Sequence, residues 1–187
     1  INAALWFSDL RHFTHLTEIL PAKDVLSMLN EYFEFIAAAV TAHGGEILRF
    51  IGDAMLIVFP ISAEVSKKSA CNAALEAAKD ARASLSVINH FRKRHAQPLI
   101  EFGVGLNVGE VIYGNVGAPE RLDFTVMGPA VNRTARLESL TKELNQPVLV
   151  SADFCAQLDY KTRSLGLHTM KGIEAPQAVF SVDYISE

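Results

Sequence analysis

Apolar positions along the chain switch repeatedly between two-residue and 3.6-residue spacing, which predicts strands alternating with helices. Residues 3–8 are a short apolar run, read as a buried strand, and a helical stretch follows. Over 23–43 the residues Val25, Leu29, Tyr32, Phe33, Ile36 and Val40 recur at three- and four-residue intervals, one buried stripe of a helix that Gly44 and Gly45 stop. Runs 46–51 and 54–59 flank Gly52 and Asp53, a pair suited to a tight antiparallel reversal. Residues 63–95, without Gly or Pro, predict a long helix. Its basic end, Arg92, Lys93 and Arg94, reads as a solvated terminus facing the helix dipole. Runs 100–108 and 111–116 predict a second hairpin around Gly109 and Glu110, with 122–127 extended beyond it. Pro129 opens a helix reaching 143, since the missing N–H has no partner at that position. A strand at 148–150, a short helix at 152–158 and a strand at 178–183 complete the order. The result is an α+β chain with a βαββαβ core, an antiparallel sheet with helices on one face, and a C-terminal extension.

Composition narrows the class. The 187 residues, 50% hydrophobic and 20% charged with a net charge of −4, suit one compact domain over 1–187. No stripe of Lys and Arg could track a phosphate backbone, so no nucleic-acid partner is expected. The longest apolar stretch, around 35–42, falls short of the roughly 18 residues of a spanning helix, and no membrane contact by this domain is expected. Cys71 and Cys155 stand apart without a CxxC pair, which fits a reduced, cytoplasmic protein. The chain opens at Ile1 and enters a strand almost at once. It reads as a domain cut from a longer protein, cytoplasmic whether free or carried by a membrane-attached chain.

Candidate chemistry centres on carboxylates. Asp9 ends one strand and Asp53 tips a hairpin that a βαββαβ sheet could set beside it. Taken singly, Asp9 reads as a helix cap and Asp53 as a turn residue. Together they suit a hard divalent cation shared with substrate phosphates. After Asp9 the chain reads LRHFTHLTE and turns into a helix, so the backbone around Phe13 and Thr14 is a candidate phosphate contact. Asn132 and Arg136 are four residues apart and share one helix face, either a solvated stripe or a phosphate clamp. His12 and His15 lack further ligands at zinc-like spacing and read as surface residues.

These residues closely resemble the class III nucleotidyl cyclase catalytic domain, the family that converts ATP or GTP to a 3′,5′-cyclic monophosphate. The carriers are FSDLRHFT at 7–14, GGEILRFIGDAMLIVF at 44–59, VGLNVGEVIYGNVG at 104–117 and DFTVMGPAVNRTARLE at 123–138. The resemblance implies a ferredoxin-like palm core and two ions, Mg2+ or Mn2+, held by Asp9, Asp53 and the Leu10 carbonyl. It implies that Asn132 orients the ribose, Arg136 stabilises charge on the attacked phosphate, and Lys171 contacts the terminal phosphates. Arg49 and Thr125 fall at the purine-reading positions. It also implies a homodimer whose active sites are shared across the interface.

This chain departs from the family at several positions. Arg49 replaces the usual Lys of adenylyl cyclases; paired with Thr125 instead of the Glu and Cys of guanylyl cyclases, it sides with ATP, because Arg can only donate and adenine N1 accepts. His12 stands where many relatives have Gly, and Gly103 where many have a phosphate-contacting Arg. The expected activity is therefore adenylyl cyclase. A guanylyl cyclase and a non-catalytic cyclase-like dimerisation module remain the alternatives, and the GGDEF hairpin of diguanylate-forming enzymes is absent.

Overall fold

The computed structural model describes residues 1–183; the last four positions of the expected 1–187 domain lie outside the described residues. Strand β1 (Asn2–Leu10) is apolar at consecutive positions, so it takes the middle of the sheet where both faces are covered. Helices α1 (Phe13–Ile19) and α2 (Ala22–Ala42) follow, parted at Pro21, which cannot donate to the preceding turn. Strands β2 (Glu46–Ile51) and β3 (Ala54–Pro60) form the expected hairpin, with Gly52 at φ +61° in its turn. Helix α3 (Lys67–Arg94) is capped by Ser66, whose hydroxyl accepts from the Ser69 N–H at 3.0 Å. Then come β4 (Phe102–Glu110), β5 (Ile112–Ala118), β6 (Arg121–Met127), α4 (Pro129–Glu143), β7 (Val148–Ser151), α5 (Ala152–Cys155), β8 (Thr162–His168) and β9 (Gln177–Val182).

The main sheet runs β2-β3-β1-β4-β7-β9-β8 and keeps the βαββαβ core. It is mixed, because β4 and β7 pair in parallel while β1 is antiparallel to both β3 and β4. The expectation of helices on one face is corrected. Helices α2 and α3 cover one side with Trp6, Ile36 and Leu75, while α4 covers the other, packing Val131 and Leu137 near Leu5 and Leu149. A strand apolar on both faces requires cover on both.

The second hairpin is also corrected. Strand β4 already has β1 on one edge and β7 on the other, so β5 cannot join it; β5 instead pairs β6 in a separate two-stranded sheet. Their turn falls at Pro119 and Glu120, where proline presets the first corner. Strand β8 was not anticipated. Its edge position leaves most of its residues exposed and blurs the alternation that would mark it. Arg92 is a further correction: it is buried at 6% exposure, donating to the Pro98 carbonyl at 2.6 Å and lying 3.6 Å from Glu31, while Lys93 and Arg94 stay exposed. Helix α2 is 21 residues long and apolar enough to reach across a bilayer by length and composition; its stripe of Met28, Tyr32, Ile36 and Val40 is buried in the core.

Candidate active site

Alternation along β1 puts Asp9 on the same face as Leu5 and Phe7, toward α4, directly opposite Gly103 of β4. The β2–β3 turn brings Asp53 within hydrogen-bonding reach of Asp9. Glu138, from α4, closes on the pair. Burial foremost, then Asp53 and Glu138, push the Asp9 carboxyl up to about 8. Burial likewise raises Glu138 to about 7, against the pull of Arg11. Asp9 Oδ1 is buried with no hydrogen-bond partner.

These residues line a cavity of about 480 Å³ together with Leu10, Phe13 and Thr14. Crowded, buried carboxylates with an orphaned oxygen fit a hard divalent cation, whose charge would offset the burial and the mutual repulsion that raise their pKa values. Among the described residues no three His, Cys, Asp or Glu side chains form a complete ligand set. Backbone carbonyls and substrate phosphates suit the remaining positions, as Mg2+ tolerates.

His12 turns the chain from β1 into α1 at φ +61°, a left-handed conformation that glycine adopts freely. Its ring rests 3.7 Å from Glu101, and both side chains are more than half exposed, so this pair offsets little of the strain. His12→Gly is expected to raise stability by about 1 kcal/mol in urea titration, since relief of left-handed strain exceeds the loss of an exposed pair. A lower midpoint would mean that the His12 side chain is structural.

Gly103 and Gly105 explain how α4 comes so near. A Cβ on Gly105 would sit 2.6 Å from the Thr134 carbonyl and the Glu138 N–H, and one on Gly103 would collide with Thr141 Oγ1. The space a side chain at 103 would need is filled by the helix.

The other candidates lie elsewhere. Arg49 follows an irregularity in β2, where the register slips between Ile47 and Arg49, and its Nη1 donates to Thr125 Oγ1 at 3.1 Å. Asn132 lines a separate cavity with Gly172, the residue after the exposed Lys171. Arg136 is exposed one turn further along α4. Thus Asp9, Leu10, Phe13, Thr14 and Asp53 come together, as do Arg49 and Thr125, but Asn132, Arg136 and Lys171 do not reach the carboxylates within one chain.

Sequence reasoning missed Glu138 and Arg11. Glu138 lies four residues after Thr134 and seven after Val131, both on the inward side of α4, and that spacing was the available signal. No local pattern marks Arg11, whose Nη2 donates to the Gln146 carbonyl at 2.9 Å across 135 residues of sequence.

Residues 2–183 match the adenylate and guanylate cyclase catalytic domain family. Adenylate cyclase 1 of Rhizobium meliloti (strain 1021) is 32% identical over 180 residues, covering 94% of this chain and 26% of the relative, so the chain spans about a quarter of that protein. A bacterial light-regulated adenylyl cyclase superposes with a TM-score of 0.86 at 30% identity, over 100% of this chain and 53% of its own. The guanylyl cyclase Cya2 superposes with a TM-score of 0.82 at 29% identity, over 97% and 91%. With the motif carriers, the carboxylate cluster and the mixed sheet in agreement, the chain belongs to the adenylate and guanylate cyclase catalytic domain family.

Proposed function

We propose that this nucleotidyl cyclase domain is an adenylyl cyclase, acting in the cytoplasm as a homodimer on ATP. The observation that carries the substrate is the Arg49–Thr125 hydrogen bond. It holds the guanidinium beside the hydroxyl, leaving Arg49 N–H groups to donate to adenine N1 and a Thr125 lone pair to accept from the exocyclic amine. Guanine presents donors at N1 and N2, and Arg49 cannot accept from them.

The reaction is attack of the ribose 3′-oxygen on the α-phosphorus, forming the cyclic ester as the bond to pyrophosphate breaks and the hydroxyl proton is lost. Two divalent cations, Mg2+ or Mn2+, held by Asp9, Asp53 and the Leu10 carbonyl would supply charge neutralisation for the attacking and leaving oxygens. Phe13 and Thr14, in the same cavity, offer backbone contacts to the phosphates. Asn132 orients the ribose and Lys171 meets the terminal phosphates. Arg136 donates to the α-phosphate oxygens most strongly as their charge grows.

Helix geometry favours a site shared between subunits. Side chains two residues apart on a helix diverge by about 160°. Glu138 points into the Asp9 cavity, so Arg136 faces away from it and meets a nucleotide there only from a second subunit. Exposed Phe50, Ile51, Ile112, Leu122 and Phe124 on β2, β5 and β6 supply apolar surface for that contact.

The test is chromatography of products from ATP and GTP under each metal. Cyclic AMP and pyrophosphate are expected, with ATP preferred by about tenfold, the worth of a hydrogen bond. Preference for GTP overturns the substrate, and no cyclic product from an intact dimer leaves a non-catalytic module. Arg49→Glu with Thr125→Cys should lower the ATP to GTP ratio, whereas Arg49→Lys should keep it. Loss of ATP use in Arg49→Lys would remove Arg49 from the purine pocket.

A further inference from the structure

We propose that the cavity between α3, the start of β4 and the α4–β7 loop is a second anion site, taking a tetrahedral oxyanion such as inorganic phosphate. It measures about 350 Å³, room for a hydrated phosphate, and Arg11, Arg82, Asn89, Glu101, Asn145 and Gln146 line it. The two arginines enter from different elements, Arg11 just after β1 and Arg82 from the middle of α3, and both are partly buried. Among the described residues neither has a carboxylate within 4.0 Å; Glu101, on the same cavity, meets His12 instead.

Arg11 has some relief, from the Gln146 carbonyl and from the charge of Glu138 on the catalytic side, yet its Nε is buried without a partner. Arg82 has none. Burial and the neighbouring Arg11 weaken its hold on its proton. Two partly desolvated like charges facing one cavity are unfavourable alone. An oxyanion between them replaces repulsion with charge-assisted hydrogen bonds, and the planar fork of Arg matches phosphate oxygens. The wall is firm, because Asn89 holds both the N–H and the carbonyl of Ile100, at 2.9 and 2.8 Å.

The experiment is thermal unfolding of the whole chain in inorganic phosphate against chloride at matched ionic strength, without divalent cations, with calorimetric titration of phosphate alongside. A melting-temperature rise of about 3–6 °C is expected when phosphate is tenfold above its dissociation constant. Arg82→Gln should lose that rise and the calorimetric heat, Arg82→Lys should keep part of both, and Arg136→Ala should keep both in full. Arg82→Gln should also melt no lower than wild type in chloride, because it removes a repulsion. No heat with wild type overturns the site, as does an equal rise in Arg82→Gln. A rise lost in Arg136→Ala and kept in Arg82→Gln would put the phosphate in the catalytic half-site instead.

Discussion

Asp9→Asn should lower cyclisation on the order of a thousandfold while making the metal-free protein more stable at neutral pH. The two effects share one cause. Burial and Asp53 raise the folded Asp9 carboxyl to about 8, from 3.8 in an unfolded chain. Between those values the folded state holds a proton that the unfolded state has released, so stability falls as pH rises from about 4 to 8. Below that window both states are protonated and the contribution is fully present. Asparagine carries no charge, so the variant should lose much of this slope and exceed wild type most near pH 8. Mn2+ should reverse the order by stabilising wild type, more at pH 8 than at pH 5, because cation and proton compete for the same oxygens. Urea midpoints from pH 4 to 9, with and without chelator, read all of this. Retained activity, or an Asp9→Asn chain less stable than wild type at pH 8 in chelator, would sink the metal assignment.

Mixing two dead chains should restore activity. Arg136→Ala should lose roughly a hundred- to a thousandfold in turnover while still binding nucleotide, by analogy with removal of an oxyanion donor. If Asp9 acts from one subunit and Arg136 from the other, each symmetric mutant dimer has two broken sites. A dimer of one Asp9→Ala chain with one Arg136→Ala chain has one site with both lesions and one with neither. With equal chains and random pairing about half the dimers are mixed, and activity should reach about one quarter of wild type. Verified exchange without recovery would place both residues in a single-chain site, against the divergence of Arg136 and Glu138 on α4.

Elements whose cause is local were legible in the sequence. The start of α4 follows from Pro129, and the β2–β3 turn from Gly52 and Asp53, because helix starts and tight turns depend on the conformational limits of a few adjacent residues. Asp9, Asp53, Arg49 and Thr125 were legible through their motifs, and the backbone does bring each pair together.

Tertiary structure alone decided the rest. Whether β5 pairs β4 depends on which edges of β4 are free, and Val104 is flanked by Ser8 of β1, 96 residues upstream, and by Val148 of β7, 44 residues beyond. Arg92 looked like a solvated helix end because only the distant Glu31 and the folded-back Pro98 carbonyl bury it. The high pKa of Asp9, the entry of Glu138 and the confrontation of Arg11 with Arg82 likewise arise from side chains far apart in sequence. Local propensity is set by the residue and its neighbours, whereas desolvation and charge coupling depend on what the completed fold brings within a few ångströms.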